Sequence, residues 1–246
     1  MKKIGIVGSV FISLVFVACA PKIEVSHNVP TNFTYKSTTK QEVSKHKSVL
    51  LLNSVQFKGD EKESKDFSAK LKENIKHLLQ NQGYDIVEVS KQEDLSYEQK
   101  QNSAFEITLN GELDIAKSIS YEDSGGAKLS FIGSIGLRTE EGKMSVVGVV
   151  NITFLEPLSN TTLNTFSIKA GELNKETYAY KHQSFNGTLS WMSYFMKGKS
   201  NLNDKTHALM NNTFNKLMQE IDNKIQKPQL EIYEKNSVSI RSKIHY

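Results

Sequence analysis

The chain has 246 residues, with 31 Lys and Arg against 27 Asp and Glu and a formal charge of +4. No dense Lys/Arg stripe runs along it, so nucleic acid is not expected as a partner. A hydrophobic fraction of 38% argues against a membrane-embedded body, and a single cysteine leaves no internal disulfide framework.

The first element is an export leader. Lys2 and Lys3 supply a positive start, and residues 4–18 carry no charge and are rich in Ile, Val, Phe and Leu. That run is shorter than the roughly 20 apolar residues a spanning helix needs, and its flanks are those of a signal peptide. Small Ala18 followed by Cys19 resembles the bacterial lipoprotein box, with Phe16 departing from the Leu usual three residues before the cysteine. Cysteine is required there because a thiolate is nucleophilic enough to take a diacylglycerol as a thioether. Cleavage frees the amine of Cys19 for a further acyl chain such as palmitate, and at about 0.8 kcal/mol per buried methylene two or three chains anchor firmly. A lipidated Cys19 removes the free thiol, and with it thiol nucleophiles and thiolate metal sites. Loss of residues 1–18 leaves 228 residues and a formal charge of +2. Ala20 rather than Asp after the cysteine points to the outer membrane.

Residues 19–46 read as a lipidated N-terminus and polar tether, with a short edge strand around 32–35. "SVLLLNSVQ" at 48–56 has the compact apolar character of a buried strand. A helix is predicted over 63–82, with Phe67, Leu71, Ile75, Leu78 and Leu79 on one face and Gly83 at its end. A strand follows at 84–89. "FEITLNGELDI" then alternates Phe105, Ile107, Leu109, Leu113 and Ile115 against a wet side of Glu106, Thr108, Asn110, Glu112 and Asp114. "KLSFIGSIGLR", "KMSVVGVVNITFL" and "TLNTFSIKA" continue as strands, with turns predicted at 124–126, 140–142 and 157–160. Short turns between consecutive strands predict an antiparallel meander. A last helix is expected from an Asn203 cap, with Met210, Phe214, Leu217, Met218, Ile221 and Ile225 as its apolar stripe and Pro228 as its stop. Residues 228–246 read as a flexible tail. The expected architecture is an α+β two-layer sandwich over 47–227, with an antiparallel sheet and helices packed on one face.

Catalytic chemistry is not apparent. The six histidines show no metal-ligand spacing. The pairs Glu122–Asp123 and Glu140–Glu141 read as solvated turn charge, and Gly125-Gly126 opens a strand rather than the helix a phosphate cradle uses. No catalytic residue, metal or cofactor is assigned. One segment could serve contact: Tyr178, Tyr180, Phe185, Trp191, Tyr194 and Phe195 interleave with Asn and Ser, and aromatic faces backed by amides stack on sugars or form protein hot spots. Tyr180, Trp191, Tyr194 and Phe195 are its candidate contact residues. The alternative is a long connection packed down by its own rings.

"LLQNQGYDIVEV", "LNGELDI", "ITFLEPLSNTTLNTF", "MKGKSNLND" and "LMQEIDNKI" occur in an order that resembles the neuraminyllactose-binding hemagglutinin family. The likeness runs from Val49 to Ile225. Its members are adhesin lipoproteins of the outer membrane and flagellar sheath of gastric epsilonproteobacteria, and this chain reads as a paralogue. The resemblance implies a non-enzymatic, adhesin-like binding module at the cell surface, lipid-anchored, with a host glycan as partner. The alternative is a structural or assembly lipoprotein that binds another envelope protein. Where the family's hemagglutinin has a Lys/Arg-rich stretch after the "NGE" strand, once proposed to bind sialic acid, this chain reads "AKSISYEDSGGAK". Lys117 is isolated there, and Glu122 and Asp123 would repel an anionic sugar, so sialic acid is not expected at that stretch.

Overall fold

The computed structural model describes residues 29–37, 47–129, 133–186 and 200–243. The apolar run at its start forms β1 (Ser48–Phe57), whose alternation sends Val49, Leu51, Val55 and Phe57 into the core. α1 (Glu61–Asn81) follows, and Asp60 caps it by accepting from the backbone N–H groups of Lys62 at 2.9 Å and Glu63 at 3.3 Å. That cap moves the helix start ahead of the predicted one. Its buried residues are the predicted stripe, Phe67, Leu71, Ile75, Leu78 and Leu79. Gly83, at φ 89°, then turns the chain toward β2 (Ile86–Val89).

The sheet is mixed rather than a pure meander. α1 carries the chain back across the sheet, so β1 and β2 run parallel, as a helical crossover requires. A 3₁₀ turn at Gln92–Asp94 and the short helix α2 (Tyr97–Asn102) lead into β3 (Ser103–Leu129), which also runs parallel to β1. β4 (Gly133–Leu155) returns antiparallel to β3 along their length, from Glu106 opposite Leu155 to Leu129 opposite Gly133. β5 (Thr162–Lys169) and β6 (Tyr178–Asn186) share the far edge of β4, with α3 (Ala170–Leu173) between them in sequence. The sheet order is β2-β1-β3-β4-β5, with β6 on the distal part of β4.

Two predicted turns are strand interior. Residues 124–126 lie in β3, where the ladder absorbs the extra glycine as a register shift between Ser124 and Ala127. Residues 140–142 lie in β4, and Gly142 answers a packing demand: a Cβ there would sit 2.7 Å from Cε1 of Tyr180 and 2.6 Å from the Ser118 carbonyl. A glycine inside a strand often marks such a close approach.

α4 (Leu202–Lys224) and α5 (Lys227–Arg241) complete the helical layer. Phe67 of α1 meets Phe57 of β1 and Phe214 of α4 at 5.1 and 5.3 Å between ring centres, and Tyr233 of α5 meets Phe154 at 4.5 Å. All three long helices therefore lie on the sheet face that carries Phe57, Phe105 and Phe154, which gives the expected two-layer α+β arrangement.

Three readings are corrected. The predicted tail is α5, in which Leu230, Tyr233 and Ser237 are buried. Pro228 occupies its first turn, where a missing N–H costs nothing, so it starts a helix as well as barring the previous one. The predicted tether is seated over residues 29–37, where Phe33 inserts between Phe67 and Phe214 at 5.2 and 5.3 Å. That stretch is held by side chains and belongs to no strand. Finally, Glu106 is not wet: it is 1% exposed, with Gln92 of the 3₁₀ turn 3.4 Å from its carboxylate.

Candidate ligand-binding site

The distal half of the β3–β4 hairpin, with β6 beside it, makes a broad ribbon beyond the sheet centre. Ser118–Ser120 of β3, Glu141–Lys143 of β4, Ala179–Lys181 of β6 and Asn201 and Lys205 near the start of α4 frame a hollow of about 720 Å³. Its floor is the Gly142–Tyr180 contact. With no side chain on Gly142, the Tyr180 ring lies against the strand, and its hydroxyl donates to Oε1 of Glu140 at 2.7 Å. Burial and the Glu140 carboxylate push the phenol up to about 12, so it stays a neutral donor at physiological pH.

Asn201 joins the walls. Its side-chain oxygen accepts from the Lys181 backbone N–H at 2.8 Å, and its own N–H donates to the Lys181 carbonyl at 3.2 Å. A helix entry is thereby paired like a strand to β6, and His182 bridges Ser200 alongside. The charged lining residues come from three elements. Lys143, Lys181 and Lys205 line the hollow with Glu141 as the one carboxylate among the lining residues, and Glu141 pairs with Lys181. Ile119, 44% exposed, gives an apolar rim. Close by, Arg138 stacks 4.1 Å over the ring of Tyr121, which stands opposite Glu140. Cationic donors, an amide and an apolar rim suit a hydroxyl-rich ligand that carries an anionic group.

Sequence reading found only part of this site. Tyr180 is in it, but at 1% exposure its face is not a stacking surface; the expected contact role is corrected to that of a floor. Tyr178 is half-buried, its hydroxyl accepting from Asn212 at 3.1 Å. Trp191, Tyr194, Phe195 and Cys19 lie outside the described residues. The stretch "AKSISYEDSGGAK" proves to be the distal half of β3, with Lys117 opposite Met144 and Glu122 opposite Thr139. The lysines of the hollow were missed because they lie far apart in sequence and each reads singly as surface charge. Gly142 beside a double-Glu is the available signal, and the same composition equally suits a turn.

Glu106 is buried, and burial raises its pKa against the opposing hydrogen bonds of Thr108 and Gln92. Among the described residues no group of three His, Cys, Asp or Glu could hold a metal ion, and no helix is long and apolar enough to cross a membrane.

Residues 19–243 match the family described as "Neuraminyllactose-binding hemagglutinin precursor". The chain belongs to this hemagglutinin family. Two relatives from Helicobacter pylori, each named neuraminyllactose-binding hemagglutinin, illustrate the distance. One is 29% identical over 235 residues, covering 92% of this chain and 89% of the relative. The other is 28% identical over 240 residues, covering 94% and 91%. A crystal structure of a neuraminyllactose-binding hemagglutinin homolog from Helicobacter pylori matches with a TM-score of 0.62 at 18% identity, over 86% of this chain and all of that one. It shares the fold. These hemagglutinins are named for binding rather than for a reaction, and their divergence from this chain fits a paralogue.

Proposed function

We propose that the protein is an outer-membrane or flagellar-sheath lipoprotein, anchored through lipid on Cys19, that acts as a non-enzymatic, adhesin-like binding module. The family supports the binding role, and one observation carries the placement: Lys143, Lys181 and Lys205 line one hollow together with Asn201 and Tyr180. The ligand is a glycan whose anionic group meets these lysines rather than Glu122; of the described residues in the stretch at 116–128 only Ser118, Ile119 and Ser120 line the hollow. Trp191, Tyr194 and Phe195, in the segment between β6 and α4 in sequence, remain the candidate aromatic contacts of this reading.

The test is a glycan array with the full chain in detergent, comparing sialylated with neutral oligosaccharides. Preferential retention of sialylated glycans is expected, abolished by Lys143→Glu with Lys205→Glu. Undiminished retention of sialylated glycans by that variant would remove the hollow from the site, and unchanged binding by folded Trp191→Ala would remove the aromatic segment. Mass spectrometry of the natural product tests the anchor: an unmodified Cys19 ends the lipoprotein reading.

A second reading, an assembly lipoprotein that binds another envelope protein, is favoured by the helix-free sheet face. Val147 and Val149 are 42% and 37% exposed there, beside the hydrogen-bonded rungs Thr165–Thr153 and Ser167–Asn151. An empty glycan array together with an envelope protein whose co-purification is lost in Val149→Lys would select it.

A further inference from the structure

Residues 29–32 are held to the domain by a row of side chains from one face of α4, not by a strand. The backbone N–H of Val29 donates to Oδ1 of Asp204 at 3.2 Å, and its carbonyl lies 2.6 Å from Nδ1 of His207. Asn211 donates to the Pro30 carbonyl at 3.0 Å and accepts from the Asn32 N–H at 2.7 Å. Positions 204, 207 and 211 recur at helical spacing, so the three side chains stack along the stretch like rungs.

His207 is the rung with a charge requirement. Its Nδ1 faces a carbonyl and its Nε2 lies 2.7 Å from Oε1 of Glu63 on α1. Both neighbours can only accept, whereas a neutral imidazole carries a single N–H and its second nitrogen is an acceptor too. Only the imidazolium satisfies both. The charged groups nearest the ring are Glu63 from α1 and Asp204 from α4, and among the described residues neither carboxylate is paired with a lysine or arginine. The seated stretch offers only backbone here, its first charged side chain being Lys36.

We propose that His207 is a proton-operated clasp that fastens residues 29–32 to the domain in acid and releases them as the ring is neutralised. Phe33 remains plugged between Phe67 and Phe214, so release stops there and the domain stays folded. Given the Cys19 anchor proposed above, an open clasp lengthens the leash between lipid and body by about four residues, on the order of 13 Å.

The test uses the full chain, labelled with ¹⁵N, in detergent at about pH 5.5 and about pH 8, either side of the range in which imidazoles change charge. Two quantities are read: the His207 ring nitrogens, and the hydrogen-exchange protection of the Val29 and Asn32 amides corrected for intrinsic rates. The expectation is a doubly protonated ring in acid and a loss of amide protection of about tenfold on going to the higher pH, in line with a charge-assisted hydrogen bond. His207→Gln should show the weaker protection at both pH values. Equal protection at the two pH values in the unmodified chain overturns the proposal, as does the same pH dependence in His207→Gln. Should that variant fail to fold, a singly protonated ring at about pH 5.5 in the unmodified chain is equally fatal. None of these readouts depends on the lipid, so a failed anchor and a failed clasp are distinguishable.

Discussion

Arg241 ties together the ends of three elements. Its Nε donates to Oε1 of Glu156 at 2.6 Å, Nη1 to the Gln101 carbonyl at 2.8 Å and Nη2 to the Ser103 carbonyl at 2.6 Å. Glu156 is fully buried and also accepts from the Ser159 N–H at 2.6 Å and hydroxyl at 2.7 Å. A planar guanidinium satisfies such a fork where a lysine could not. Burial alone would raise the Glu156 pKa, but the hydrogen bonds from Arg241 and Ser159 outweigh it and hold the group below its ordinary value. Its contribution to stability is therefore fully present above the ordinary carboxylate range and is lost as pH falls through the depressed folded-state value. Arg241→Ala should cost about 3–5 kcal/mol at neutral pH, because it leaves a buried carboxylate uncompensated. Denaturant unfolding should show that deficit shrinking in acid, as Glu156 takes up a proton. Gly142→Ala is the second test at this scale. Its new methyl must displace Tyr180 from the floor of the hollow, with an overpacking cost of about 1–3 kcal/mol and a matching loss of glycan retention.

The helices show what a one-dimensional pattern carries well. The stripe from Phe67 to Leu79 is readable because more than three turns of one helical period leave little room for another reading. α5 was not read because its apolar positions are sparse, and Pro228 drew attention as a breaker rather than a starter. Tyr233→Ala should nonetheless cost about 3–5 kcal/mol, as for other large buried rings, while Val238→Ala, on the exposed face of the same helix, should stay within about 0.5 kcal/mol. Thermal or denaturant unfolding of the pair separates a docked helix from a tail. In the sheet, alternation put Phe105, Ile107, Leu109 and Leu113 inward as expected, since period 2 is a local property. Strand ends were harder. Gly148, at φ 116°, lies opposite Leu113, and a Cβ there would come within 2.1 Å of the Glu112 carbonyl. Gly148→Ala should therefore destabilise by more than the roughly 1–3 kcal/mol of backbone strain alone, read by the same unfolding assay.

At the scale of the whole molecule the hollow is an electrostatic object. Its lysines, 143, 181 and 205, come from β4, β6 and α4, and no stretch of sequence holds two of them close together. Glycan retention should fall as salt is raised through the range in which exposed charges are screened. Lys143→Glu with Lys205→Glu should abolish it while shifting the unfolding midpoint little, since surface charges away from such features typically contribute within about 0.5 kcal/mol.

The amino-acid sequence by itself determined the class of the protein, the inward face of its strands and the core stripes of α1 and α4, because those depend on hydrophobic periods counted along the chain. Its ordered blocks also carried the family. Tertiary structure alone decided that β1 lies parallel to its neighbours, that β6 rather than β5 borders the distal ribbon, and that three distant lysines line one hollow. Pairing across the sheet joins residues dozens of positions apart, and no local period records which partner a strand edge will meet.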